Sequence, residues 1–94
     1  MTKSDIVTRI SKRLGAEKDL TNQFVETFMN EIKASLIAGE PVYLRGFGTY
    51  HIKYRKEKVG RHISQGKSVT IPAHNVPAFR ASKSFIESVK ESNK

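Results

Sequence analysis

The apolar positions of this chain change period once. From Ile6 to Leu36 they recur every fourth residue, and from Val42 to Tyr54 every second. The first stretch predicts helices. Ile6, Ile10 and Leu14 make one stripe with Val7 beside it, and Arg9, Lys12 and Arg13 take the wet face. Thr2, with Asp5 three residues on, has the pattern of a capping box with Asp in place of Glu, and Gly15 suits a helix stop. Glu17 and Asp19 place negative charge where the dipole of a second helix favours it. Leu20, Phe24, Phe28, Ile32 and Leu36 then form an unbroken series, widened by Val25 and Met29, over roughly 20 residues to Gly39. So wide and aromatic a stripe needs more apolar partner than the first helix supplies, which points to dimerisation.

At Pro41 the pattern becomes that of strands. Val42 and Leu44 alternate with Tyr43 and Arg45; Gly46-Phe47-Gly48 follows; then Tyr50, Ile52 and Tyr54 alternate with Thr49, His51, Lys53 and Arg55. This predicts a β-hairpin that turns at the glycines, with one apolar and one cationic face. Tyr50 and Tyr54 are expected in the core. Beyond Arg55 the chain is polar, basic and glycine-punctuated until Val69 and Ile71 resume the alternation before Pro72, so two strands flank a tip near His62 to Gly66. A segment from Tyr54 to Ile63 spans about 30 Å at strand rise and carries few core-type residues, so it must reach into solvent or onto a partner. Pro77-Ala78-Phe79-Arg80 is expected as an extended link. Ser82 is placed to cap a last helix whose Phe85, Ile86 and Val89 share a face, with Glu91 to Lys94 fraying.

Charge sharpens this picture. The chain has 94 residues and a net charge of +8. Residues Pro41 to Ile86 hold nine basic side chains (Arg45, Lys53, Arg55, Lys56, Lys58, Arg61, Lys67, Arg80 and Lys83) against one acid, Glu57, while the two flanking segments are each balanced. The whole excess therefore sits in the strand-forming stretch. A solvated edge strand guarded by charge accounts for a few lysines. It does not account for an excess of this size with arginine prominent, and a polyanion relieves such self-repulsion. Ile63, at the expected tip, reads either as an exposed aliphatic or as an apolar wedge between base steps.

Enzyme chemistry has little to stand on. His51, His62 and His74 lie in separate contexts without metal-ligand spacing, and a surface or groove-facing position is the expectation for each. Gly46-Phe47-Gly48 lacks the third glycine of a dinucleotide loop and opens no helix. Cysteine is absent, which excludes a disulfide scaffold and thiolate metal sites. No cofactor and no metal is expected. No stretch approaches the roughly 20 apolar residues of a membrane span, and the start, Met1 to Asp5, has no signal-peptide run, so a soluble intracellular protein is expected.

Several segments together resemble the HU family of bacterial histone-like DNA-binding proteins, related to integration host factor. They are Leu44-Arg45-Gly46-Phe47-Gly48-Thr49-Tyr50, Gly60-Arg61, Ile71-Pro72-Ala73 and Val76-Pro77-Ala78-Phe79-Arg80. The resemblance implies an α+β fold: an intertwined dimer with an N-terminal helical hairpin, a three-stranded β-sheet saddle bearing a long protruding β-arm, and a short C-terminal helix. Residues 1–94 would be one DNA-binding domain, with 1–40 the helical dimerisation base, 41–80 the sheet and arm, and 81–94 the last helix and tail. The dimer core would include Phe28, Met29, Ile32, Leu36, Leu44, Phe47, Tyr50 and Phe79. The DNA contacts would be Arg45, Gly46 and Gly48 at the turn, Lys53, Arg55, Lys58, Arg61, His62, Ile63 and Lys67 along saddle and arm, and Arg80 and Lys83 at the flank, with Lys3 a further candidate. Two departures stand out. The family's Arg-Asn-Pro tip is Arg61-His62-Ile63 here, and its Pro-Gly before the last helix is Ala81-Ser82.

The expected function is architectural: largely sequence-nonspecific binding of double-stranded DNA, with bending and compaction through minor-groove contacts of two β-arms. The partners would be duplex DNA and a second copy of the chain or a paralogue, with no membrane involved, in the nucleoid of the cytoplasm. An RNA-binding accessory protein of ribosomal type and a charged dimer that binds no nucleic acid are the alternatives.

Overall fold

The computed structural model describes residues 1–62 and 67–93. They form two compact units, Met1–Ser35 and Leu36–Lys94, divided within the last turn of the second helix. In the first unit, α1 spans Lys3–Leu14 and α2 spans Lys18–Ile37. The capping box at the head of α1 is complete: Thr2 Oγ1 accepts from the Asp5 amide, and Asp5 accepts in return from the Thr2 amide. At its end Gly15 adopts a left-handed conformation (φ 64°), which a side chain would resist. Val7 and Thr21 are buried, and the Thr21 hydroxyl donates to the Glu17 carbonyl at 2.8 Å. Lys3 and Glu26 form an ion pair between α1 and α2.

The second unit holds two antiparallel sheets. Strands β1 (Val42–Leu44), β2 (Gly48–Arg55) and β5 (His74–Ala81) form one sheet in the order β1-β2-β5. Strands β3 (Lys58–His62) and β4 (Lys67–Ile71) pair only with each other. Ladder pairing lapses at Lys56-Glu57 and at Pro72-Ala73, where Pro72 has no N–H to donate. The expected tip falls between β3 and β4; Ile63 and the rest of 63–66 lie outside the described residues, as do the side chains of Arg61, His62 and Lys67.

One expectation needs correction. Pro77-Ala78-Phe79-Arg80 is no link: it is the heart of β5, paired with β2 from Ala81 opposite Gly48 to His74 opposite Arg55. Pro77 is accommodated on β5, an edge strand, where proline is ordinarily found in sheets. Ser82 caps α3 (Lys83–Ser92), accepting from the Phe85 amide at 3.2 Å.

The core of this unit is aromatic. Phe47 is its hub, with ring centroids 5.0 Å from Phe79 and 5.5 Å from Phe85, and Tyr50 lies 4.8 Å from Phe79. Tyr50 and Phe79 are register partners, so they share a face of the sheet. Phe47 and Phe79 are nonetheless about 40% exposed in the single chain (43% and 39%). Tyr54, expected in the core, is 63% exposed there.

Candidate nucleic-acid interface

Register decides which side chains share a face, because partners across a ladder point the same way and successive residues alternate. Thr49, His51, Lys53 and Arg55 of β2 are partnered by Arg80, Ala78, Val76 and His74 of β5, and Tyr43 of β1 partners Thr49. Three cations and two imidazoles therefore lie on one face. The opposite face carries Val42, Leu44, Tyr50, Ile52, Tyr54, Pro77 and Phe79. The two-residue period of the sequence thus becomes a physical separation of charge from grease.

A hollow of about 460 Å³ lies at one end of this sheet, lined among others by Arg45, Gly46, Gly48, Thr49, Arg80 and Lys83. Local chain geometry builds it. The Phe47 amide donates to the Leu44 carbonyl, closing a tight turn in which Gly46 takes φ 79°, a value that needs glycine. The Ser82 amide donates to the Phe47 carbonyl at 2.9 Å, which holds the start of α3 beside that turn. Lys83 is the first residue of α3, and no acid occupies the helix's first turn. A cation at the positive end of a helix is unfavourable in isolation, and an anion between them relieves it. Arg45 and Arg80 add to the same demand. The hollow is therefore cationic, with Arg45, Arg80 and Lys83 on its walls.

Gly48 has a separate task. It is buried, and a Cβ there would lie 2.5 Å from Phe79 Cζ and closer still to the Arg80 carbonyl oxygen. Close packing of β2 on β5 requires glycine at that position, whatever Gly48 contributes to the rim of the hollow. Gly60 differs, since a Cβ there would meet only the Val69 carbonyl oxygen, at 3.8 Å.

The remaining candidates divide. Lys58 begins β3 opposite Ile71. Val59, Val69 and Ile71 of this arm are exposed. Lys3 is engaged by Glu26, whose carboxyl the hydrogen bond and charge of Lys3 hold below the usual carboxylate range. His51 Nδ1 is buried with no hydrogen-bond partner among the described residues, and His74 Nδ1 lies 2.9 Å from the Pro72 carbonyl oxygen. Tyr43, which alternation puts on the face of Arg45 but to which the sequence assigns no role, is 75% exposed, pairs with Thr49 and lines the hollow with Arg45 and Arg80. No three His, Cys, Asp or Glu side chains gather as for a metal among the described residues, and no described helix is long and apolar enough to cross a membrane.

A family profile described as bacterial DNA-binding protein matches residues 1–90. The chain belongs to that family. It is 36% identical to the integration host factor alpha subunit of Mannheimia haemolytica over 93 residues, covering 99% of this chain and 94% of that one. The corresponding subunit of Glaesserella parasuis serovar 5 (strain SH0165) is 37% identical over 90 residues, 96% and 92% of the two chains. Among solved structures, HU of Anabaena in a cocrystal with DNA superposes with a TM-score of 0.88 at 30% identity, covering 95% and 97% of the two chains. HU of Thermotoga maritima shares the fold, with a TM-score of 0.67 at 24% identity over 95% and 98%. The HU fold expected from the sequence is therefore the fold of the chain, and family membership makes this an architectural DNA-binding protein rather than an enzyme. The comparisons lend the RNA-binding alternative no support.

Proposed function

We propose that two copies of this chain, or this chain and a paralogue, clasp double-stranded DNA with the cationic faces of their sheets and bend it with little sequence preference. The observation that carries the reading is the alignment of Lys53, Arg55 and Arg80 on one face of the sheet, with Arg45 and Lys83 in the hollow at its end. Each phosphate neutralised releases condensed counterions, which supplies affinity independent of sequence. Low selectivity follows from contact with a minor groove whose donor–acceptor pattern is degenerate. Ile63 is the proposed wedge: an inserted aliphatic unstacks a base step and bends the duplex toward more wrapped surface. Arg61, His62 and Lys67 are proposed to flank it.

In this reading residues 1–40 form the dimerisation base, 41–80 the sheet and arm, and 81–94 the helix whose N-terminus meets a flanking phosphate. Exposure supports the dimer. Phe24 and Phe28 are 66% and 53% exposed in the single chain, and Leu20 and Met29 lie bare beside them. A contiguous patch of that kind marks an interaction surface. Phe47 and Phe79 are proposed to complete the interface, together with Ile32, Leu36, Leu44 and Tyr50. A DNA-binding role places the protein with the nucleoid, in the cytoplasm.

The test is a competition between duplex DNA and structured RNA for the purified protein, with its mass measured alongside. A dimer that prefers the duplex is expected. A monomer, or equal competition by RNA, contradicts the reading.

A further inference from the structure

Tyr43 has no task in the folded protomer. It takes no part in the ring pairs that join Phe47, Tyr50, Phe79 and Phe85, and its hydroxyl has no hydrogen-bond partner among the described residues. Strand propensity alone explains a β-branched or aromatic residue on an edge strand. It does not explain why a ring 75% exposed stands on the cationic face, where Tyr54, also exposed, does not. Tyr43 partners Thr49 and Thr49 partners Arg80, so the three stand in a row across the sheet. Tyr43 also lines the hollow together with Arg45, Arg80 and Lys83. An amphipathic ring with a free donor, set among cations that demand phosphate, suits the sugar–phosphate backbone: its apolar body covers a deoxyribose and its hydroxyl reaches an acceptor oxygen.

We propose that Tyr43 is a DNA-contact residue, packing its ring on the backbone held at the hollow and donating its hydroxyl to a phosphate oxygen. The inference rests on duplex binding by the cationic face, and its test separates the two. Tyrosine nitration by tetranitromethane, read by mass spectrometry on the unmodified sequence with and without a mixed-sequence duplex, has an internal control. Tyr54 is also exposed but lies on the opposite face of the same sheet. The expected result is a severalfold loss of reactivity at Tyr43 relative to Tyr54 when duplex is bound. An unchanged ratio under conditions where binding is measured would overturn the role of Tyr43 and leave duplex binding standing; no binding at all would remove both. Tyr43→Ala is expected to lower duplex affinity by roughly tenfold, the loss of one hydrogen bond to a charged group. Tyr43→Phe should recover part of that loss, and neither variant should change the salt slope, because tyrosine displaces no counterion. A changed slope would mean that the substitution disturbed the cations instead.

Discussion

Gly48 and Phe79 occupy the same space: the ring of one lies where a side chain on the other would be. Gly48 is not in the left-handed region, so the constraint is volume rather than backbone conformation. Gly48→Ala is expected to destabilise the protein by about 1–3 kcal/mol, the usual cost of overpacking. In a Phe79→Ala background the same substitution should cost less, because the two sites share one volume. Thermal unfolding of the four variants checks this. Additive losses would show that Phe79 is not what excludes the methyl.

That relationship marks the limit of what the sequence discloses. Thr2, Asp5 and Gly15 bracket α1 through contacts a few residues apart, so their roles are legible locally. The two-residue period from Val42 to Arg55 likewise announces a strand with one cationic face. Pro77 to Arg80 was legible only as extended chain, because its pairing partner lies more than twenty residues earlier and its proline argues against a central strand. The hollow was hidden for the same reason. Arg45 is far in sequence from Arg80 and Lys83, and meets them because β5 pairs with β2 and Ser82 is tied to the Phe47 carbonyl. Alternation puts Tyr54 in the core, but alternation reports a face and not what covers it.

Phe28 separates a covered surface from a bare one. If a partner covers it, Phe28→Asp buries an unpaired charge, and the protein should lose its dimer mass in light scattering and melt at lower temperature. At a truly solvent-exposed position the same change stays within about 0.5 kcal/mol. Unaltered mass and melting would remove Phe28 from the interface.

The Lys3–Glu26 pair yields a pH prediction. Lys3 lowers the folded-state value of Glu26, so the pair's small contribution is fully present above the unfolded carboxylate value and fades as pH falls through the lower, folded one. The site is open to solvent, and salt should weaken the effect. Carboxyl NMR titration should show the Glu26 midpoint rising in Lys3→Met. If Lys3 also serves DNA, adding duplex to the native protein should raise that midpoint too. A midpoint indifferent to duplex would confine Lys3 to its pairing with Glu26.

Ile63 stands where the resemblance to HU proteins leads one to expect proline. Ile63→Ala should reduce bending of a short duplex, read by end-to-end fluorescence transfer, more than it reduces affinity, since the wedge shapes DNA while the cations hold it. Equal bending by both proteins would reject the wedge.

Phosphate neutralisation by the cationic face and its hollow underlies duplex binding in the proposed function. The dependence of duplex affinity on salt measures this directly, for the native protein against Arg45→Ala/Arg80→Ala/Lys83→Ala. Each lost phosphate contact should flatten the slope of log K against log salt by about 0.9, so the triple variant should be markedly less salt-sensitive and weaker across unrelated sequences. A folded triple variant with native slope and native affinity would contradict it.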